Sequence, residues 1–269
     1  MKTKDKIILV SGAGRGLGRE LTLQLLARGA KVAALDIDEK SLSETVGFWS
    51  GPESNIKTYV IDITAKEIVA NLPAQVIKDF GAIDGIINNA GIIQPFRRVK
   101  DLDYQTINRV MNINFFGALY MTKSFLPYLL KRSEAHIVNV SSMGGFLPVP
   151  AQSVYGASKA ALKLLTEGLY SELLDTNVRV SIVFPGAMAT NIAVNSGVEN
   201  SLQISDSEQT SFKPLPAAVG AKIVIAGIEK NAFRILVGPD AKFMDFLCRL
   251  NPQYAARYIY KKMKSLLPK

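Results

Sequence analysis

Tyr155 and Lys159 stand four residues apart in the run V-Y-G-A-S-K, Val154 to Lys159. In a helix, positions i and i+4 share a face, which sets the ammonium of Lys159 beside the phenol of Tyr155. A free phenol has a pKa of about 10, too high for a base at neutral pH. A neighbouring ammonium favours the phenolate and draws that pKa toward the working range. The pair is a candidate proton exchanger for an oxygen atom of a bound molecule. Taken alone, the same spacing also describes a packed aromatic with a surface lysine beside it.

A second run, S-G-A-G-R-G-L-G from Ser11 to Gly18, sets Gly12, Gly16 and Gly18 with three and then one residue between them. Glycines let a backbone turn tightly and approach a pyrophosphate, which the amides and dipole of a following helix then hold. The spacing departs from G-x-G-x-x-G and lacks the Lys-Ser/Thr of a P-loop. A plain strand-to-helix turn would also carry glycines. Position favours the phosphate reading: the run follows the first strand, opens a helix, and Asp36 ends the second strand 18 residues beyond Gly18. An acid at that point accepts hydrogen bonds from adenosine ribose hydroxyls.

Such groups need a frame that brings them to one edge. Short aliphatic or β-branched runs predict strands over 6–10, 31–36, 56–62, 85–88, 136–141, 179–183 and 234–237. Segments of helical period lie between them, among them 17–28, 65–80, 104–130, 154–174 and 217–230. Strands without alternating polarity, separated by helices, predict an α/β fold with a parallel sheet covered on both faces. Right-handed crossovers make that a doubly wound, Rossmann-like sheet of about seven strands, with its ligand site at the strands' carboxyl ends. With no repeat, low-complexity tract or linker, residues 1–269 read as one domain. Residues 187–213, rich in Asn, Ser, Gln and Asp, read as a substrate lid.

Composition narrows the function classes. The chain has 269 residues, 48% of them hydrophobic, enough for a sizeable core. One cysteine, Cys248, excludes an intrachain disulfide, fits a reducing, cytoplasmic compartment and reads as packed rather than reactive. The basic start and the four-residue apolar run Ile7 to Val10 read as a first strand rather than a signal peptide. No apolar stretch approaches the ~18 residues of a membrane-spanning helix. A single histidine, His136, cannot build a multi-histidine metal site, so no metal is expected. Net charge is +9, but from Ala241 onward seven basic residues face one acid, leaving only +3 elsewhere and little case for general nucleic-acid binding.

Taken with the glycine spacing, Tyr155-x-x-x-Lys159 resembles the short-chain dehydrogenase/reductase family, in its single-domain form. N-N-A-G (Asn88 to Gly91) follows the fourth strand, N-F-F-G sets Asn114 at the family's helix-four asparagine, and N-V-S-S ends the fifth strand at Ser142. P-G at Pro185 and Gly186 follows the sixth strand, with Thr190 where the family often contacts the nicotinamide carboxamide. The resemblance spans about residues 6 to 237. Ser11 in place of threonine and Met188 in place of a small β-branched residue depart from the pattern. The Tyr-x-x-x-Lys spacing argues against the enoyl-reductase branch, and the glycine spacing against the extended, sugar-nucleotide branch.

The resemblance implies an NAD(P)-dependent alcohol dehydrogenase or carbonyl reductase acting on a secondary alcohol or ketone. Tyr155 would be the acid/base, Ser142 would hydrogen-bond the reacting oxygen, Asn114 would place a water in the proton relay, and Lys159 would also hold the nicotinamide ribose. Cofactor contacts are expected from Gly12, Arg15, Gly16, Leu17, Gly18, Asp36, Asp62, Ile63, Asn89, Ala90, Gly91, Pro185, Gly186 and Thr190, besides Tyr155 and Lys159. Asp36 argues for NAD over NADP and Arg15 for the reverse; the acid is expected to prevail. Met143, Phe146, Leu147 and Val149 are the candidate lining of an apolar substrate pocket. The family implies a homodimer or homotetramer. A non-catalytic dinucleotide-binding regulator is the alternative, as is a membrane-surface protein whose tail is the main element. Residues 239–269 read as a basic amphipathic extension broken at Pro252, too short to span a bilayer. It is predicted to lie on a membrane surface or to cover the substrate entrance, with packing on the domain or a partner subunit as the other reading.

Overall fold

The computed structural model describes residues 1–190, 192–198 and 214–264. Strands β1 (Ile7–Ser11), β2 (Lys31–Asp36), β3 (Ile56–Val60), β4 (Gly85–Asn88), β5 (Ala135–Val140) and β6 (Val178–Pro185) lie in one sheet. Two short strands, β7 (Met188–Ala189) and β8 (Leu215–Pro216), pair with each other, and β9 (Arg234–Val237) completes the main sheet. Its order is β3-β2-β1-β4-β5-β6-β9, with every pairing parallel. The chain reverses its winding between β1 and β4. A ligand crevice opens at that switch point in doubly wound sheets.

Helices α1 (Gly16–Ala27), α2 (Glu39–Gly47), α3 (Lys66–Phe80), α4 (Tyr104–Met111), α5 (Ala118–Leu129) and α6 (Ser153–Glu172) cover the two faces. They are joined by α7 (Ile192–Asn195), α8 (Ala217–Glu229), α9 (Pro239–Leu250) and α10 (Pro252–Met263). Alternate residues of β1 serve opposite cores. Ile8 and Val10 pack with Leu21, Leu25, Val224 and Ile228, whereas Ile7 and Leu9 pack with Val69, Leu72, Phe125 and Leu129. Burial on both sides is why these strands are continuously apolar.

Differences from the sequence expectation have local causes. Strand β3 stops at Val60; just beyond it, the Asp62 carboxylate accepts bonds from the amide and hydroxyl of Thr64. Helix α2 follows Asp38, whose side chain accepts the amide of Ser41 as an N-cap. The expected single helix over 104–130 is interrupted by a π-helical segment, Asn112–Gly117. There Asn114 is turned fully inward, and a Cβ on Gly117 would lie 2.5 Å from Ile63 Cδ1. Such bulges recur at functional sites. Pro239 and Pro252 open α9 and α10, where a missing amide proton is harmless.

Candidate active site

A cavity of about 1710 Å³ runs along the carboxyl ends of the strands. Of the residues singled out in the sequence, Gly12, Arg15, Gly16, Leu17, Asp36, Asp62, Ile63, Asn89, Ala90, Gly91, Ser142, Tyr155, Lys159, Pro185, Gly186 and Thr190 line it. Gly18 and Asn114 do not. Both act from behind the wall.

The glycine turn is fixed by close approach. Gly12 and Gly16 have φ of +68° and +53°, in the left-handed region that favours glycine. A Cβ on Gly18 would fall 1.9 Å from the Gly12 carbonyl oxygen, so α1 could not sit this near β1 with any larger residue. Helix α1 starts without a side-chain cap and without an acid in its first turn. Its leading residues, Gly16 and Leu17, border the cavity, so unclaimed amides and the positive end of the helix dipole suit an anionic pyrophosphate. Ser11 does what its position requires without a methyl group: its hydroxyl accepts the amides of Asn89 and Ala90 at 3.0 and 3.1 Å. Asn89 returns a bond to the Ser11 carbonyl at 3.0 Å, tying the N-N-A-G turn to the glycine turn.

At the far end, the Asp36 carboxylate accepts the Gly14 amide at 2.9 Å and the Asp38 amide at 3.2 Å. That leaves acceptor capacity for hydroxyls of a ribose. Gly14 has its own constraint, since a Cβ there would meet Asp36 Oδ2 at 2.9 Å and Ser41 Cβ at 2.7 Å. Arg15 reaches Asp38 at 2.6 Å and Ser41 at 3.1 Å. Hydrogen bonds from Ser41, aided by the Arg15 charge, hold the Asp38 carboxyl below the usual range.

At the opposite end, Tyr155 occupies the first turn of α6 and Ser142 follows β5. Burial pushes the Tyr155 phenol above its ordinary pKa, and a hydrogen bond with Ser142 pulls the other way. Ser142 also accepts the Gly144 amide at 3.0 Å. Lys159 is 4% exposed; its ammonium donates to the Val140 carbonyl at 3.0 Å and is lowered by burial to about 8. The sequence expectation that the ammonium governs the phenol is therefore corrected: in the protein alone, burial dominates both groups. Asn114 spends its side chain on the fold itself. Its two amide protons go to the Ile92 carbonyl at 2.9 Å and Ser158 Oγ at 3.0 Å, and its oxygen accepts the Ile92 amide at 2.8 Å.

Two residues that sequence reasoning missed hold these groups in place. Gln94, fully buried, accepts the amides of Val154 and Tyr155 at 2.8 and 2.9 Å and donates to Ala151 O at 2.8 Å. It caps α6 from outside, a role the helix's own N-cap side chain, Gln152, leaves open. Asp240, at the start of α9, accepts the Ala187 amide at 2.6 Å. A Cβ on Gly186 would lie 2.2 to 2.4 Å from its carboxylate, which explains the glycine of the P-G turn. No sequence spacing signals either contact.

The substrate end is only partly as expected. Met143 and Val149 line the cavity, but Phe146 stacks edge-on against Phe184 at 5.3 Å and Leu147 is buried beneath α9 and α10. The wall there comes instead from Met244, Tyr258, Ile259, Lys262 and Met263. Much of the expected lid, 191 and 199–213, lies outside the described residues. In its described part, Ile192 and Ala193 border the cavity, and Ser196 Oγ accepts the Ile93 amide at 2.9 Å. Cys248 packs in the cluster under these helices, its thiol raised by burial and by Asp245. Among the described residues, no three His, Cys, Asp or Glu side chains are grouped to hold a metal.

A family model described as short chain dehydrogenase matches residues 6–200. A putative oxidoreductase, SadH, from Mycobacterium tuberculosis is 33% identical over 252 residues, covering 92% of this chain and 91% of that protein. A short-chain dehydrogenase/reductase from Burkholderia phymatum, solved in complex with NAD, superposes with a TM-score of 0.84 at 25% identity, covering 94% of this chain and 96% of that one. A short-chain dehydrogenase from Burkholderia cenocepacia, solved with NADP, gives 0.80 at 30% identity, covering 96% and 99%.

Proposed function

The chain belongs to the short-chain dehydrogenase/reductase family of oxidoreductases, and we propose that it interconverts a secondary alcohol and its ketone with NAD(H) as cofactor. The observation that carries this reading is the meeting of Ser142, Tyr155 and Lys159 on one wall of a cavity whose other end is a glycine turn closed by Asp36. The glycine turn and the uncapped start of α1 fit a pyrophosphate, and Asp36 fits the adenosine ribose. The nicotinamide supplies the hydride chemistry when bound.

The rest falls to the chain. In oxidation, the Tyr155 oxygen takes the alcohol proton as the carbinol C–H bond gives up its electron pair; in reduction, it returns that proton to the new alkoxide. Ser142 hydrogen-bonds the reacting oxygen as its charge changes. Lys159, anchored on the Val140 carbonyl and lowered by burial to about 8, would hold the ribose hydroxyls of the nicotinamide. The apolar lining by Met143, Val149, Met244 and Ile259 supports an apolar substrate. The exposed Tyr104 on α4 and Leu164 on α6 support a homo-oligomer, and one cysteine in 269 residues supports a cytoplasmic setting.

Tyr155→Phe tests the assignment. With an alcohol and ketone panel read by NADH absorbance, turnover should vanish while NADH affinity stays within about twofold. Wild-type kcat in the variant would end the catalytic role of Tyr155.

A further inference from the structure

Helices α9 and α10 have an outer side that the cavity does not use. On α9 the exposed residues are Pro239, Lys242, Phe243, Phe246, Arg249 and Leu250, which fall within about 120° of arc at 3.6 residues per turn. On α10 they are Pro252, Gln253, Tyr254, Arg257, Tyr260, Lys261 and Lys262, of which Gln253, Tyr254, Arg257, Tyr260 and Lys261 fall within a similar arc, and the exposed Lys264 follows the helix on the same side. Large apolar groups stand in water there: Phe246 is 66% exposed, Leu250 71% and Tyr254 56%. The acids of these helices are turned inward. Asp240 is 6% exposed and engaged by Ala187, while Asp245 is 8% exposed and paired with Arg234 and Arg249. The outer face therefore combines aromatic and aliphatic groups with cations, and no acid of α9 or α10 is exposed on it.

We infer that this face docks on an anionic lipid surface, with Phe243, Phe246 and Leu250 at the acyl boundary and the basic side chains among the headgroups. A face of large apolar residues ringed by Lys and Arg has the composition of an interfacial helix, and anionic lipid supplies the missing negative charge. A second copy fits poorly. A two-fold contact sets the same patch against itself, so cations would meet cations with no exposed acid to answer them. Each helix has 12 residues, so neither crosses the bilayer. The inner side of the same helices, through Met244, Tyr258 and Ile259, walls the cavity, so docking would set that wall beside the lipid. The docking does not depend on turnover.

Co-sedimentation of the full chain with vesicles tests it. Binding to equimolar phosphatidylcholine/phosphatidylglycerol should exceed binding to phosphatidylcholine alone by at least about tenfold, and should weaken as salt rises. Phe246→Asp with Leu250→Asp should abolish it, and Arg257→Glu with Lys261→Glu should reduce it several-fold. Ile68→Asp, on the exposed face of α3, should leave it unchanged. Unaltered thermal unfolding and NADH binding in each variant show that the fold is kept. Equal sedimentation with both vesicle types, or binding that survives both double variants, would overturn the inference. A change of oligomeric state in the first double variant, with no vesicle binding by the wild type, would assign the face to a second copy instead.

Discussion

Gln94 offers the sharpest test of how the structure positions its chemistry. Gln94→Leu keeps the volume but removes one acceptor for two amides, Val154 and Tyr155, and one donor to Ala151 O. The site is fully buried, so water does not readily replace the lost bonds. A buried polar group left without a partner costs about 1–3 kcal/mol. Partial rearrangement of the first turn of α6 spares some of the three. A loss of about 3 kcal/mol is expected, near 6–12 °C in Tm for a chain of this size. The same change frees the turn ahead of Tyr155, where Ala151 already holds a φ of +60°. Hydrogen exchange at the amides of 154 and 155 should rise at least tenfold more than at other first-turn amides, and kcat should fall about 10–100-fold. NADH affinity should hold within twofold, because Gly12, Gly16 and Asp36 lie at the other end of the cavity. Gln94→Glu keeps the acceptor for both amides and should restore exchange protection more than stability, since its carboxylate would face the Ala151 carbonyl. Wild-type Tm and wild-type exchange at 154 and 155 in Gln94→Leu would refute the capping role.

Two further outcomes follow from charge. NADH should bind at least about tenfold tighter than NADPH by fluorescence titration: a 2′-phosphate would meet Asp36 and Asp38, and the Arg15 that could answer it is already paired with Asp38. Asp36→Ala should narrow that ratio, whereas tighter NADPH binding by the wild type would show that Arg15 prevails. His136 is held neutral, lowered to about 3 chiefly by burial and then by nearby positive charge. Its folded pKa lies below the unfolded value, so its stabilising contribution is present above about pH 6.5 and is lost as pH falls toward 3. Urea unfolding should lose roughly 3–5 kcal/mol from this group across that window, and His136→Asn should lose correspondingly less; equal losses in both proteins would contradict the linkage.

Much of the frame was legible because it follows from local pattern. The β2, β4 and β9 boundaries match the aliphatic runs 31–36, 85–88 and 234–237, since strands buried on both faces must be apolar throughout. The helix expected over 104–130 was not legible as three pieces. Its interruption at Asn112–Gly117 depends on Ile92 and Ile63, which are distant in sequence and press on Asn114 and Gly117. Phe146 and Leu147 were misplaced for a similar reason. Their apolar character suits a pocket or a core, and only the arrival of α9 and α10 decides between them.

The site shows the same division. Residues that act through their own chemistry, such as Tyr155 or Asp36, carry a spacing that can be recognised. Residues that act by filling or bonding a neighbour carry none. Gly186 is the clearest case: its P-G context marks a turn, but the reason for glycine is the carboxylate of Asp240, 54 residues later, at distances that exclude any Cβ. That contact gives the C-terminal helices a second role. Asp240, in the first turn of α9, accepts the amide of Ala187 and lies on the wall of the cavity. Asp245, one turn on, fastens the same helix to Arg234 of β9. Both acids of residues 239–264 are thus spent on holding α9 to the sheet and to the P-G turn, while Lys242, Arg257, Lys261, Phe246, Tyr254 and Tyr260 stand exposed on the outer side.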